Sequence, residues 1–385
     1  MRKIFVTLSI IWISLIASNP ALASRARVAV FDTGDGGALL GAGASMGSFQ
    51  TDDMYNIFYN PAYLNDYNDF VTIEKSNAYG YETVTSTGTT SAASALTAQG
   101  GFISNWGLFT LGLFFNRIEA INQIRSPTTT LTNDYSNKGQ MAPLELLFGM
   151  ETKGVKWGLD LSYASVNPVN KARKDYDMNL RVGASYMGFD PWLHYKIMGN
   201  DDIQGSNATK HTDYGGGMKY TWGEWTPYGG YSYYEINPDG DNNDINLHSW
   251  GLGLSRNQRV TQGVQLGYSA GYWVSNRPVV RSGGTGYQLM VPISVFAEGD
   301  ALSWLTLRAG ITYFAVDTNG GASANSDRTK GRFGATIRVS KIDLDWVIGN
   351  NAAATTVSTE QAAMDAAAFD ISNRFFTAAS LTYKW

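Results

Sequence analysis

From about residue 69 to the C-terminal Trp385, short turns and long polar connections alternate strictly along the chain. The short turns fall near 104–107, 152–155, 188–191, 222–226, 256–261, 298–303 and 340–343. The long connections cover 79–97, 119–140, 167–176, 199–212, 236–246, 275–285, 316–329 and 350–372. The segments between them alternate apolar and polar residues with the period of two that a strand requires. In 107–117, Phe109, Leu111, Leu113 and Phe115 share one face against Thr110, Gly112 and Asn116. In 156–165, Trp157, Leu159, Leu161 and Tyr163 oppose Gly158, Asp160 and Ser162. The same division separates Leu180 and Val182 from Asn179 and Arg181, Leu307 and Ile311 from Arg308 and Thr312, and Phe333 and Ile337 from Arg332 and Thr336. Short turns at one end and long loops at the other are the signature of an outer-membrane barrel, whose tilted strands need about 9–11 residues to cross. The expected fold is therefore all-β: a transmembrane antiparallel β-barrel of the bacterial outer membrane, spanning 69–385. Counting connections gives 16 strands, with 14 possible because the second strand is poorly marked.

The start of the chain agrees with that destination. Arg2 and Lys3 precede an apolar run from Ile4 to Ile16, and Ala21-Leu22-Ala23 offers small residues for cleavage. This is the layout of a secretory signal peptide over 1–23. The chain has 0 cysteines, so neither disulfides nor thiolate metal sites hold it together. A net charge of −4 gives no basic footprint for nucleic acid. Tyr 22, Phe 17, Trp 11 and Gly 42 with only 16% charged residues suit a wall that faces lipid.

Tryptophans cluster at the short turns. Trp106, Trp192, Trp222, Trp225 and Trp304 sit at or beside one, and Trp157 lies just after another. Indole prefers the headgroup level, so these residues and Trp385 are expected to form an interfacial girdle. The terminal FTAASLTYKW places Leu381, Tyr383 and Trp385 on one face and ends on an aromatic, a form suited to the barrel-assembly machinery. The polar face carries Asp160, Arg181, Lys196, Lys219, Arg308, Arg332, Arg338 and Asp345. Charges toward lipid cost about 2–4 kcal/mol near the midplane, so these are assigned to the lumen. They either line a water-filled passage or pair with one another as filler.

No cofactor or metal is expected. His194, His211 and His248 are the only histidines, and no serine has a base and an orienting group near it in sequence. Asp201-Asp202, His211 and Asp213 sketch at most a protease-like rim, and the chain is read as a non-enzyme. Residues 239–244, DGDNND, lack the Gly and Glu that a calcium loop needs at its sixth and twelfth positions. GAGASMG at 41–47 follows no strand and is not a phosphate loop.

Residues 24–68 differ from the rest. Thr51 is placed to cap a short helix whose first turn holds Asp52 and Asp53, with Met54, Ile57 and Phe58 on one face. Pro61 ends it by pushing Asn60 out of the helical region. The stretch GALLGAGASMGSFQTDDMYNIFYNPAYL (37–64) resembles the N-terminus of the long-chain fatty acid transporters of the outer membrane, and is similar to that of the type IX secretion shuttles of the same superfamily. The resemblance implies a hatch folded inside the barrel, with Asp52, Asp53, Phe58, Asn60, Pro61 and Ala62 as gate residues. Asn60–Ala62 is then expected near the wall of the early strands. It implies passive uptake of hydrophobic or small amphipathic solutes. Two departures stand beside it: the family has 14 strands, and the external loops here are polar. A general diffusion porin and a structural or secretion-associated barrel are the alternatives. The implied partners are outer-membrane lipid, the barrel-assembly machinery and a small-molecule solute.

Overall fold

The computed structural model describes residues 24–31, 48–67, 69–76, 97–117, 144–166, 175–201, 209–238, 245–279, 284–318, 328–350 and 375–385. The expected signal peptide, the glycine-rich 32–47, most of the long connections and the 239–244 run lie outside these residues, as do Asp202 and the side chains of Asp201 and His211.

Sixteen strands form one sheet that closes on itself. They are β1 (Phe70–Ser76), β2 (Thr97–Asn105), β3 (Phe109–Phe115), β4 (Leu144–Thr152), β5 (Val155–Val166), β6 (Asp175–Ser185), β7 (Phe189–Asp201) and β8 (Thr209–Tyr220). The second half comprises β9 (Trp225–Pro238), β10 (Ile245–Thr261), β11 (Val264–Val279), β12 (Gly284–Leu302), β13 (Leu305–Thr318), β14 (Arg328–Val339), β15 (Ile342–Asn350) and β16 (Phe375–Lys384). Each strand pairs antiparallel with its sequence neighbours. β1 also pairs with β16, from Phe70 opposite Lys384 to Ser76 opposite Ala378, so no edge is left open. The count is the 16 expected from the connections.

The short turns hold for a backbone reason. Lys153-Gly154 and Met187-Gly188 both take positive φ at two successive residues (53° and 77°, 50° and 80°). That is the mirror-image turn whose twist matches two antiparallel strands. One turn moved. The expected 256–261 turn belongs to β10, which runs on to Thr261, and the reversal falls at Gln262-Gly263.

The polarity of the wall is inverted relative to a water-soluble protein. In β5, Trp157, Leu159 and Tyr163 are exposed on the outside, while Asp160, Ser162 and Ala164 are buried on the inside. In β13, Leu307, Ile311 and Tyr313 face out, with Thr306, Arg308 and Thr312 inward. Apolar side chains outward and polar side chains inward are what a lipid solvent selects. Trp106, Trp157, Trp222, Trp225, Trp304 and Trp385 are all exposed on the outer surface near the short-turn end. Trp192 is not among them. It is 3% exposed and faces inward, sharing its side of β7 with Asp190, His194 and Lys196. Proximity to a turn misplaced it, where strand parity would have placed it correctly.

Several inward aromatics follow one construction. Phe114 stands opposite Gly101, Trp192 opposite Gly217, Tyr228 opposite Gly253, Trp273 opposite Gly251 and Phe296 opposite Gly267. In each pair a Cβ on the glycine would run into the ring, so the ring lies flat over the neighbouring strand. This covers glycine backbone and fixes the ring plane. It also explains why β2, with Gly100 and Gly101, was hard to read as a strand. Gly251→Ala is expected to cost about 1–3 kcal/mol by overpacking against Trp273. Gly299→Ala, whose nearest neighbour would be 3.6 Å away, is expected to change little. Reversible urea unfolding of the two variants in lipid vesicles compares them, and equal midpoints would refute the construction.

Candidate functional site: the inner wall and the segment it holds

The chain before β1 packs onto the inward faces of the strands. Its first part is a short helix, α1 (Arg25–Val30), capped by Ser24, whose Oγ accepts from the Arg27 amide at 3.2 Å. Phe31, just after it, meets Phe296 with ring centroids 4.5 Å apart. Arg332 donates to the Ala29 carbonyl, and the Val30 carbonyl lies where a side chain on Gly310 would be. α1 therefore sits against β13 to β16.

The second part covers 48–67. The expected single helix is two 3₁₀ helices, Met54–Phe58 and Pro61–Asp66. Thr51 is not the cap. Asp53 is, accepting from the Tyr55 amide at 3.0 Å. Pro61 does not only end the first helix but starts the second, at the first-turn position where its missing N–H costs nothing. Asn60 lies outside the helical region, at φ −129° and ψ 96°, and caps the second helix by accepting from the Ala62 amide at 3.1 Å.

This part touches the wall strand after strand. The Tyr55 hydroxyl donates to Glu74 on β1, and the Gln99 amide of β2 donates to both at 2.7 and 2.6 Å. Phe58 meets Phe114 of β3 edge-on at 5.0 Å, and the Arg117 guanidinium lies 3.4 Å from its ring centre. The Pro61–Ala62 backbone occupies the space beside Gly158 on β5. Asn60 donates to the carbonyls of Ala184 (3.1 Å) and Pro191 (3.4 Å), at the β6–β7 end. Phe49 stacks on Trp192 of β7 and Tyr228 of β9, and Asn257 of β10 donates to the Gln50 carbonyl at 3.1 Å. Met54, Ile57, Phe58, Asn60 and Ala62 are fully covered, whereas the Asp52 side chain is 98% exposed, 3.7 Å from Lys219.

Arg27 joins the two parts to the wall. Its guanidinium reaches Asp53 (3.2 Å) and, through two nitrogens, Glu298 of β12 (2.9 and 3.0 Å). Arg308 binds the same Glu298 and lies 3.3 Å from Asp345. Three carboxylates thus share two guanidiniums in a buried cluster. Burial lifts the Asp53 carboxyl to about 7, with Arg27 and the Tyr55 amide opposing it.

The remaining expected lumen residues face inward and are paired. Arg181 bonds Asp160 at 2.9 Å and lies 3.9 Å from Glu145, which Arg117 binds at 2.7 Å. Lys196 meets Asp177 at 3.0 Å, and His194 meets Asp213 at 3.1 Å. Arg338 is only partly covered, near a short turn, 3.4 Å from Asp300. At these positions the described charges are paired with one another. Sequence reasoning passed over Arg27, Phe49, Tyr55, Glu74, Gln99, Glu145 and Glu298. Glu74 was legible from its alternation with Thr72, but nothing in RARVAV marks Arg27 as a joint.

No family model and no curated protein matches the chain. Among solved structures it is similar to a bacterial polysaccharide outer membrane secretin (8% identity, 83% of this chain and 98% of that one, TM-score 0.48). It is also similar to CdiB from Acinetobacter baumannii (10%, 82% and 59%, 0.46) and to a Pseudomonas aeruginosa FadL homologue (12%, 91% and 97%, 0.38). The chain thus spans about 59% of CdiB.

Two outcomes follow from this geometry. Asn60→Ala removes a cap and two wall hydrogen bonds, and should weaken the seat by about 1–2 kcal/mol. Hydrogen exchange is expected to rise over 48–67 while strand amides stay protected; exchange unchanged at 48–67 would contradict the seat. For Asp53, a folded pKa above the unfolded value means that its contribution is full below about 4 and is lost as pH rises through about 7. Exchange over 48–67 should therefore quicken more than intrinsic exchange predicts between about pH 4 and 7 and gain no further excess above it, and Asp53→Asn should flatten that excess.

Proposed function

We propose that this chain is an outer-membrane channel for passive uptake of hydrophobic or small amphipathic solutes, gated by its own N-terminal segment acting as a hatch. The observation that carries the reading is the series of contacts from residues 24–31 and 48–67 to inward-facing groups. These run from Glu74 on β1, through Phe114, Trp192 and Asn257, to Glu298 on β12 and Arg332 on β14. A segment so placed blocks diffusion until part of it moves. Much of its seat is made of single polar contacts and ring stacks, which a solute is able to replace. The paired inner charges favour a filled passage over the open, water-lined pore of a general diffusion porin.

The hatch residues on this reading are Asp52, Asp53, Phe58, Asn60, Pro61 and Ala62, joined now by Arg27 and Tyr55. In planar bilayers the intact chain is expected to stay nearly closed. An Arg27→Ala/Asn60→Ala double variant should conduct at least tenfold more, and deletion of 24–64 should give steady ohmic current. Steady current from the intact chain would favour the porin, and a deletion with unchanged conductance would rule the hatch out.

A further inference from the structure

Four aromatic rings lie face to face across the inner wall. Three belong to strands: Trp192 on β7, Tyr228 on β9 and Trp273 on β11. The fourth, Phe49, belongs to the segment before the barrel. Phe49 stacks on Trp192 at 5.5 Å and 28°, and on Tyr228 at 4.6 Å and 19°; Tyr228 stacks on Trp273 at 6.2 Å and 26°. These are the spacings of rings in direct stacking contact, so Phe49 occupies a place where a flat ring meets one ring from β7 and another from β9. The wall rings do not depend on Phe49 for their orientation. Each lies over a glycine of its neighbouring strand, Gly217, Gly253 and Gly251 respectively, with no room to rotate toward it. The slot between Trp192 and Tyr228 is therefore built by the barrel and filled by the plug.

The residue next to Phe49 supplies a second observation. Gln50 is 5% exposed, yet neither its side-chain nitrogen nor its side-chain oxygen has a hydrogen-bond partner. The neighbouring Thr51 hydroxyl and the Asn257 side-chain oxygen are likewise without partners, and Asn257 holds the Gln50 carbonyl. Buried polar atoms left unpaired cost about 1–3 kcal/mol each, so a cluster of them beside a ring slot calls for a polar visitor. Ordinary core packing accounts for Phe49 alone, but not for an amide sealed in beside it with both ends idle.

We propose that Phe49 is an internal placeholder for the solute, and that the slot receives a small planar aromatic ring carrying one hydrogen-bonding head, which Gln50, Thr51 and Asn257 read. This rests on the hatch reading and adds the ligand class: a ring that displaces Phe49 also pulls on the segment that closes the barrel. A displaced side chain competes directly with the incoming ring, so removing it must tighten binding.

The test uses the full chain, purified in detergent for binding and placed in planar bilayers for conductance. Three probes separate ring from head: benzamide, cyclohexanecarboxamide (same head, no flat ring) and toluene (ring, no head). Radiolabelled benzamide in equilibrium dialysis should bind Phe49→Ala at least tenfold more tightly than the unaltered chain, with Phe49→Leu intermediate as the milder variant. Benzamide should raise conductance of the unaltered chain at concentrations at least tenfold below those needed for the other two. Gln50→Leu should erase the preference for benzamide over toluene. Equal binding of the three probes, or no tightening in either Phe49 variant, overturns the proposal. If Phe49→Ala conducts more yet binds benzamide no better, the slot fails while the hatch stands. If binding tightens with conductance unchanged, the slot stands and the hatch fails.

Discussion

Every part of this molecule answers to one constraint, the lack of any hydrogen-bonding partner in the hydrocarbon layer around it. Backbone groups exposed there cost several kcal/mol each, so a sheet in lipid must have no edge. The ladder between β1 and β16 meets that demand by joining strands more than 300 residues apart. Once the wall is closed and its outer face given to lipid, the polar half of each strand has only one place to go. The interior becomes the polar side, and its charges must then find partners of their own. Arg117, Glu145, Arg181 and Asp160 form a continuous run of such pairs across four neighbouring segments.

The segment before β1 inherits the same logic. It enters a space lined by polar groups and by a few rings laid flat over glycine, and it meets each kind in turn. Asn60 and Arg27 satisfy carbonyls and carboxylates of the wall, while Phe49, Phe58 and Phe31 land on Tyr228, Phe114 and Phe296. Glycine content that looked like a general barrel trait thus has local reasons at Gly101, Gly217, Gly251, Gly253 and Gly267, and again at Gly158 and Gly310, where backbone of the segment comes close.

The fold was legible because its two signals, period-two alternation and the alternation of connection lengths, are repeated along the whole chain and reinforce one another. Single positions were less so. Trp192 was assigned by distance from a turn, when its parity with His194 and Lys196 already pointed inward. Thr51 was read as the cap, yet Asp53, at least as good a cap by residue type, holds the position, and Arg27, distant in sequence, reaches the same carboxylate. Contacts such as Tyr55 to Glu74 and Arg27 to Glu298 join residues that no local pattern relates. What the segment meets is decided by strand register around a ring, and register is a property of the closed barrel rather than of any short window.

The link between the second 3₁₀ helix and β1 has a consequence of its own. Asp66 ends the one and Phe70 begins the other, so only three residues tie the segment to the first strand. On so short a leash the second 3₁₀ helix stays close to its seat, at a local concentration in the millimolar range or above. Departure is therefore always partial, and return needs no search. A segment tethered in this way has no free state to diffuse away into, whatever the number of barrels in the membrane.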